Sequence, residues 1–209
     1  MGKLIVLTGV NGSGKDTVAS KVIEKLGTQD SSTIISESRM LMYINGITDS
    51  PDSRLQVDKD KYVQLESISP ESNAMLMKKK FPALIKRIIN SNDYTFYLTH
   101  LVFQRYLLDG EADFLYAPIR HLIDHADVWI NLDVDSEDIL QRRMTDKSRV
   151  RNVTNVKEIE HHQNLCRSRL KAQILTSRIA DETKVVSNNN GQLDDAVDEI
   201  FNFIKDINL

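Results

Sequence analysis

The chain has 209 residues, 41% hydrophobic and 27% charged, a balance typical of globular proteins that excludes extended disorder. The net charge of −3 excludes a general attraction to nucleic acid or to an anionic membrane, so an anion site must come from local clusters of Lys and Arg. The single cysteine, Cys166, excludes an internal disulfide and fits a reducing cytoplasm. We expect one domain over residues 1–209 and no membrane span.

The first predicted elements are a strand, a glycine-rich loop and a helix. Residues 4–7 are continuously apolar, as in a parallel strand that is covered on both faces. Apolar residues then recur at helical spacing from Val18 to Leu26, and Gly27 is a suitable C-cap.

Four more strands and four more helical patterns follow along the chain. The strands are predicted at residues 33–36, 94–99, 128–132 and 184–187. The helices are predicted at residues 70–90, from a cap at Ser136 through Met144, at 156–179 and at 193–204, with a turn at 188–191. This alternation predicts a three-layer α/β fold whose five-stranded, mostly parallel sheet has the order 2-3-1-4-5.

The glycine-rich loop, residues 9–17, matches a phosphate-binding P-loop of the Walker A type. Its glycines allow the backbone to wrap a phosphate chain, the next helix adds its positive N-terminal end, and Lys15 can reach the β- and γ-phosphates of ATP. The predicted binding residues are Gly9, Asn11, Gly12, Ser13, Gly14, Lys15, Asp16 and Thr17. The alternative is an ordinary glycine-rich turn between strand and helix.

Asp16 stands where many P-loops have the Ser or Thr whose hydroxyl binds magnesium, and Thr17 follows it. Nucleoside monophosphate kinases commonly tolerate another residue there and keep the Thr after it, so Gly-Lys-Asp-Thr resembles that group. We expect Asp16 and Thr17 to contact the Mg²⁺ that accompanies ATP. The alternative is that Asp16 points outward as a favourable charge in the first helical turn.

The second half of the chain resembles archaeal-type adenylate kinases, a branch of the P-loop nucleoside monophosphate kinases. The matching residues are 138–143, then Arg149, Val150 and Arg151, then His162, Gln163 and Arg167, then 191–197, with Thr99 and His100 as a further pair. Residues 44–86 match poorly. The resemblance implies ATP and Mg²⁺ as cofactors, a nucleoside monophosphate as acceptor, with AMP first, and it allows a homo-oligomer.

Residues 142–151 contain five basic side chains and one acidic one, Asp146. The resemblance implies that Arg149 and Arg151 clamp the phosphates from a short lid, residues 142–155, and neutralise charge in the transition state. Arg143 is a further catalytic candidate, although only one of Arg142 and Arg143 is expected to face the site. The alternative for the cluster is a solvated basic loop.

Leu98 departs from the resemblance, because the family usually has there an Asp that helps to hold magnesium. An apolar side chain cannot replace this carboxylate. Either Asp16 or Asp133, at the end of the fourth strand, supplies the acid, or the protein is a nucleotide-responsive regulator that transfers phosphate poorly. Asp133 can equally be a cap of the next helix.

The acceptor region, residues 37–91, is the least informative. Arg39 and Arg54 have the right chemistry for an acceptor phosphate, and His100 lies at the ligand-facing end of a parallel sheet. A surface arginine at 54 and a buried structural histidine at 100 are the alternatives. The polar loop 49–61 either covers a bound substrate or is an ordinary surface loop. Because this region matches the family poorly, a kinase that acts on another small metabolite is a further alternative. The absence of an Asn-Lys-x-Asp signature disfavours a GTPase.

Overall fold

A five-stranded parallel sheet forms the centre of the computed structural model, which describes residues 2–99, 122, 125–145, 155–161, 163–164, 167–168 and 183–207. The strands are β1 (Lys3–Thr8), β2 (Ser32–Ser36), β3 (Tyr94–Thr99), β4 (Val128–Asp133) and β5 (Thr183–Ser187). Neighbouring strands are parallel, and their order is β2-β3-β1-β4-β5. The predicted strands and their order are confirmed.

Helices cover both faces of this sheet. They are α1 (Lys15–Leu26), α2 (Glu37–Ile44), α3 (Lys59–Glu66), α4 (Pro70–Asn90), α5 (Ser136–Thr145) and α6 (Leu193–Asp206), and residues 156–161 are helical as well. The sequence interpretation missed α2 and α3, which are only eight residues long. Residues 169–179 of the predicted helix 156–179 lie outside the described residues. None of the described helices is long and apolar enough to cross a bilayer.

Successive residues of β1 pack on opposite faces of the sheet, which explains why its apolar run is continuous. Leu4 and Val6 belong to the cluster under α2 and α4, whereas Ile5 and Leu7 belong to the cluster under α1 and α6. Leu98 is only 2% exposed and lies in this second cluster. Its side chain is therefore part of the core.

The ends of the strands determine where the loop after β1 lies. Thr8, the last residue of β1, is paired with Thr99 of β3 on one side and with Asn131 of β4 on the other. Ligands of open parallel sheets bind beyond such carboxyl ends.

Ser136 is the first residue of α5 rather than its predicted cap, and its hydroxyl donates a hydrogen bond to Oε1 of Gln163 at 2.6 Å.

Candidate active site

The loop between β1 and α1 has a backbone conformation that glycine adopts far more readily than other residues. Gly9, Gly12 and Gly14 have φ angles of 148°, 92° and 86°. A Cβ at Gly14 would also lie 2.7 Å from Nδ2 of Asn188, so a side chain there would collide with the turn after β5. The three glycines of the motif are therefore needed for the shape of the loop.

The side chain of Lys15 folds against this loop. Its Nζ atom donates hydrogen bonds to the carbonyl oxygens of Gly9 at 2.7 Å and Val10 at 3.0 Å, and the residue is only 5% exposed. Val10 itself packs with Val134 and Ile139, which anchors the loop to the end of β4 and to α5. The ammonium group of Lys15 is thus held against the backbone of the loop.

Both arginines near the end of α5 donate hydrogen bonds to backbone carbonyl groups of the loop. Arg143 donates from Nε and Nη2 to the carbonyl oxygen of Asn11, at 2.9 and 2.6 Å. Arg142 donates from Nη1 to the carbonyl oxygen of Gly12 at 3.4 Å. In this structure the two guanidinium groups hold the backbone of the loop.

The turn after β5 joins the same arrangement. Asn188 donates from Nδ2 to the carbonyl oxygen of Ser13 at 2.8 Å, and Arg142 donates to Asn188 O at 2.6 Å and to Asn190 Oδ1 at 2.9 Å. Burial lowers the pKa of Arg142, and the nearby charge of Asp138 opposes this shift. The sequence interpretation treated these asparagines only as a turn, so it missed Asn188.

Asp16 and Thr17 are both exposed in the first turn of α1. A Mg²⁺ ion that binds nucleotide phosphates keeps several waters and needs only one or two protein oxygens, so these two side chains fit such an ion. Within the described residues there is no group of three or more His, Cys, Asp or Glu residues that could hold a metal by themselves. Asp133, the other candidate acid, accepts a hydrogen bond from Nη2 of Arg167 at 2.6 Å and is therefore already paired.

Glu37 is an acidic residue that the sequence interpretation missed. It directly follows β2, and its carboxylate accepts a hydrogen bond from the hydroxyl of Thr99, the neighbour of Thr8 at the end of β3. Burial raises the pKa of Tyr97 well above its usual value, and the negative charge of Glu37 adds to this effect. A carboxylate therefore stands at the edge of the sheet from which the loop departs, and its position directly after a strand was a usable signal.

Arg39, a predicted substrate residue, lies under the loop that follows α2. It is 4% exposed, and its Nη2 atom donates to the carbonyl oxygens of Asp52 at 2.6 Å and Leu55 at 3.1 Å. Its Nε and Nη1 atoms are buried and have no hydrogen-bond partner among the described residues, and burial lowers its pKa. Arg54 is paired with the carboxylate of Asp52 and donates to Ser32 O, so it fastens this loop to β2.

Three predicted site residues cannot be placed. His100, Arg149 and Arg151 lie outside the described residues, so their roles stay predictions. Residues 146–154, which are most of the predicted lid, also lie outside the described residues, so the role of the lid stays a prediction.

The chain is similar to archaeal adenylate kinases over nearly its full length. It is 28% identical to the adenylate kinase of Methanococcus vannielii over 207 residues, which cover 97% of this chain and 98% of that protein. It is 25% identical to the adenylate kinase of Methanothermobacter thermautotrophicus over 205 residues, which cover 95% and 97%. No protein-family model matches the sequence.

Two solved shikimate kinases share the fold. The enzyme of Acinetobacter baumannii, solved in complex with shikimate, has a TM-score of 0.57 at 16% identity and covers 99% of this chain and 94% of its own. The enzyme of Bacteroides thetaiotaomicron has a TM-score of 0.53 at 11% identity, with coverages of 97% and 98%. The fold is therefore that of P-loop kinases, and the named relatives support a nucleotide kinase.

Proposed function

We propose that this protein transfers the γ-phosphoryl group of ATP to a nucleoside monophosphate, with AMP as the favoured acceptor. The observation that carries the proposal is the loop 9–17, in which three positive-φ glycines lead into α1 and the buried Lys15 is the first residue of that helix. Such a loop suits a chain of phosphates, because peptide N–H groups and a helix N-terminus attract anions. The similarity to adenylate kinases favours AMP as the acceptor.

In this proposal each residue of the site has its own role in phosphoryl transfer. The loop orients the ATP phosphates, and Lys15 offsets the charge of their β- and γ-oxygens. Asp16 and Thr17 would hold a Mg²⁺ ion, which when bound neutralises charge on the same oxygens. Arg149 and Arg151 would neutralise the charge that spreads over the transferring group. The phosphate of the acceptor is already ionised at neutral pH, so the reaction needs no general base.

Glu37 favours a second candidate, a kinase whose acceptor is the hydroxyl group of another small metabolite. A hydroxyl acceptor must lose its proton during transfer, and a positioned carboxylate can accept it. Glu37 supplies such a carboxylate beside Thr99, at the edge of the sheet where the P-loop begins. A carboxylate at this position supports the second candidate, because a hydroxyl acceptor must lose a proton and an ionised phosphate does not.

The test is the formation of ADP from Mg-ATP with each nucleoside monophosphate in turn, with the Lys15→Ala variant as a control for contaminating kinases. We expect AMP to give the fastest acceptor-dependent turnover. ATP binding without turnover on any monophosphate would contradict the proposal. A thermal-shift screen of hydroxyl metabolites would then separate the second candidate from a nucleotide-responsive regulator, for which the buried Leu98 argues. A cytoplasmic location fits the proposal, because a sequence with a single cysteine suits a reducing compartment.

A further inference from the structure

Three consecutive carbonyl groups of the P-loop accept hydrogen bonds from side chains that lie outside the loop. The carbonyl of Asn11 is bound by Arg143, that of Gly12 by Arg142 and that of Ser13 by Asn188, as described above. The donors belong to two elements, α5 and the turn after β5, that are remote in sequence from the loop. The backbone of the loop is thus held at three successive peptide units.

Fastening these carbonyls also fixes the directions of the amide groups. In a planar trans peptide the C=O and the following N–H point in opposite directions. The N–H groups of Gly12, Ser13 and Gly14 must therefore point away from the side chains that hold the preceding carbonyls. The Ser13 N–H donates to Val10 O at 3.1 Å and closes the loop, and the Gly12 and Gly14 N–H groups point away from Arg143 and Asn188, which bind the preceding carbonyls.

We infer that Arg142, Arg143 and Asn188 are positioning residues that orient the P-loop amides before a phosphate arrives. The inference rests on the proposed function, since it takes a nucleotide phosphate as the ligand of the loop. It gives Arg143 a different role from the catalytic one that the sequence suggested, because the guanidinium acts through the Asn11 carbonyl. A loop that is ordered in advance binds more tightly, since less conformational freedom is lost on binding.

Two substitutions at Arg143 separate this role from direct contact with phosphate. Arg143→Met removes both the charge and the donors, whereas Arg143→Gln removes the charge and keeps an amide that can donate to a carbonyl. Arg87→Met is a matched control, because Arg87 is an exposed arginine on α4 that binds the hydroxyl of Tyr43.

The first measurement is the NMR order parameter of the Gly12 and Gly14 amides in the nucleotide-free protein. We expect values near about 0.85 in the wild type and in Arg87→Met, below about 0.6 in Arg143→Met, and close to wild type in Arg143→Gln. Unchanged order parameters in Arg143→Met would overturn the inference. This measurement uses no ligand, so it decides the inference even if the proposed function fails.

The second measurement is the affinity for Mg-ADP and Mg-ATP by calorimetry. We expect Arg143→Met to weaken both by the same factor, about tenfold, and Arg143→Gln to recover most of the loss. If Arg143→Gln binds as poorly as Arg143→Met and ATP loses much more affinity than ADP, the guanidinium contacts the γ-phosphate and the inference is wrong. A wild-type protein that binds neither nucleotide would contradict the proposed function, and the order parameters would still report on the positioning role.

Discussion

The side-chain amide of Asn188 occupies the space that a Cβ at Gly14 would need. The two positions would be 2.7 Å apart, which is closer than non-bonded atoms approach. The same Nδ2 atom donates to the carbonyl oxygen of Ser13 at 2.8 Å, so it cannot move away without losing a hydrogen bond. The P-loop and the turn after β5 therefore fit together only because residue 14 has no side chain.

Gly14→Ala should destabilise the protein more than Gly27→Ala. Gly27 has a φ of 70° and open space around it, so alanine there costs about 1 kcal/mol from the left-handed backbone alone. Gly14 has a similar backbone cost, and alanine there must also displace Asn188, so we expect a total of about 2 to 3 kcal/mol. Urea denaturation of the two variants measures the difference. Equal free energies of unfolding would show that Asn188 yields without cost.

Lys15→Ala should weaken ATP binding about a hundredfold, because the phosphates lose a buried cationic partner. Lys21→Ala is the control, since Lys21 also lies on α1 but is paired with Asp194 at the surface. Calorimetry with Mg-ATP gives both affinities, and ADP formation gives the loss of turnover. A Lys15→Ala variant that turns over like the wild type would remove this loop from the reaction.

Sequence patterns predicted the strands and helices because each pattern reflects interactions between residues that are close together in the chain. A continuously apolar run identified β1, Gly27 marked the end of α1, and the apolar period of residues 193–204 identified α6. Each of these signals lies within one element and its immediate neighbours, so no tertiary contact is needed to interpret it.

The parts of the site that sequence did not predict depend on contacts between distant residues. Arg143 and Asn11 are 132 positions apart, and Asn188 and Ser13 are 175 positions apart. An arginine at the end of a helix and an asparagine in a turn are common, and nothing local tells which carbonyl each will bind. Only the arrangement of the strands brings α5 and the turn after β5 to the P-loop.

Asp16→Asn should raise the Mg²⁺ concentration that gives half-maximal activity, by about tenfold, because a carboxylate binds the ion better than a neutral amide. Asp133→Asn is the comparison, and we expect little change in its Mg²⁺ dependence because Arg167 already binds that carboxylate at 2.6 Å. Titration of activity with Mg²⁺ at saturating ATP measures both. The reverse result would assign the magnesium carboxylate to Asp133.

Glu37→Gln should distinguish the two classes of acceptor. With a nucleoside monophosphate we expect kcat to change less than about threefold, since an ionised phosphate needs no base. With a hydroxyl acceptor we expect a loss of about a hundredfold or more, because the proton then has no carboxylate to accept it. The amide can still accept a hydrogen bond from Thr99, so the local structure is kept. A large loss with AMP would refute the assignment of Glu37 to hydroxyl chemistry alone.

Arg149→Ala and Arg151→Ala should lower kcat far more than they lower ATP affinity. A guanidinium that stabilises a transferring phosphoryl group acts mainly in the transition state, and such arginines contribute about a thousandfold or more to turnover. Lys157→Ala is a control of like charge, since Lys157 is an exposed basic residue a few positions further along the chain. Steady-state kinetics with AMP give kcat, and calorimetry gives the ATP affinity. If both arginine variants behave like Lys157→Ala, the basic cluster is a solvated surface and the charge of the transition state is neutralised by other groups.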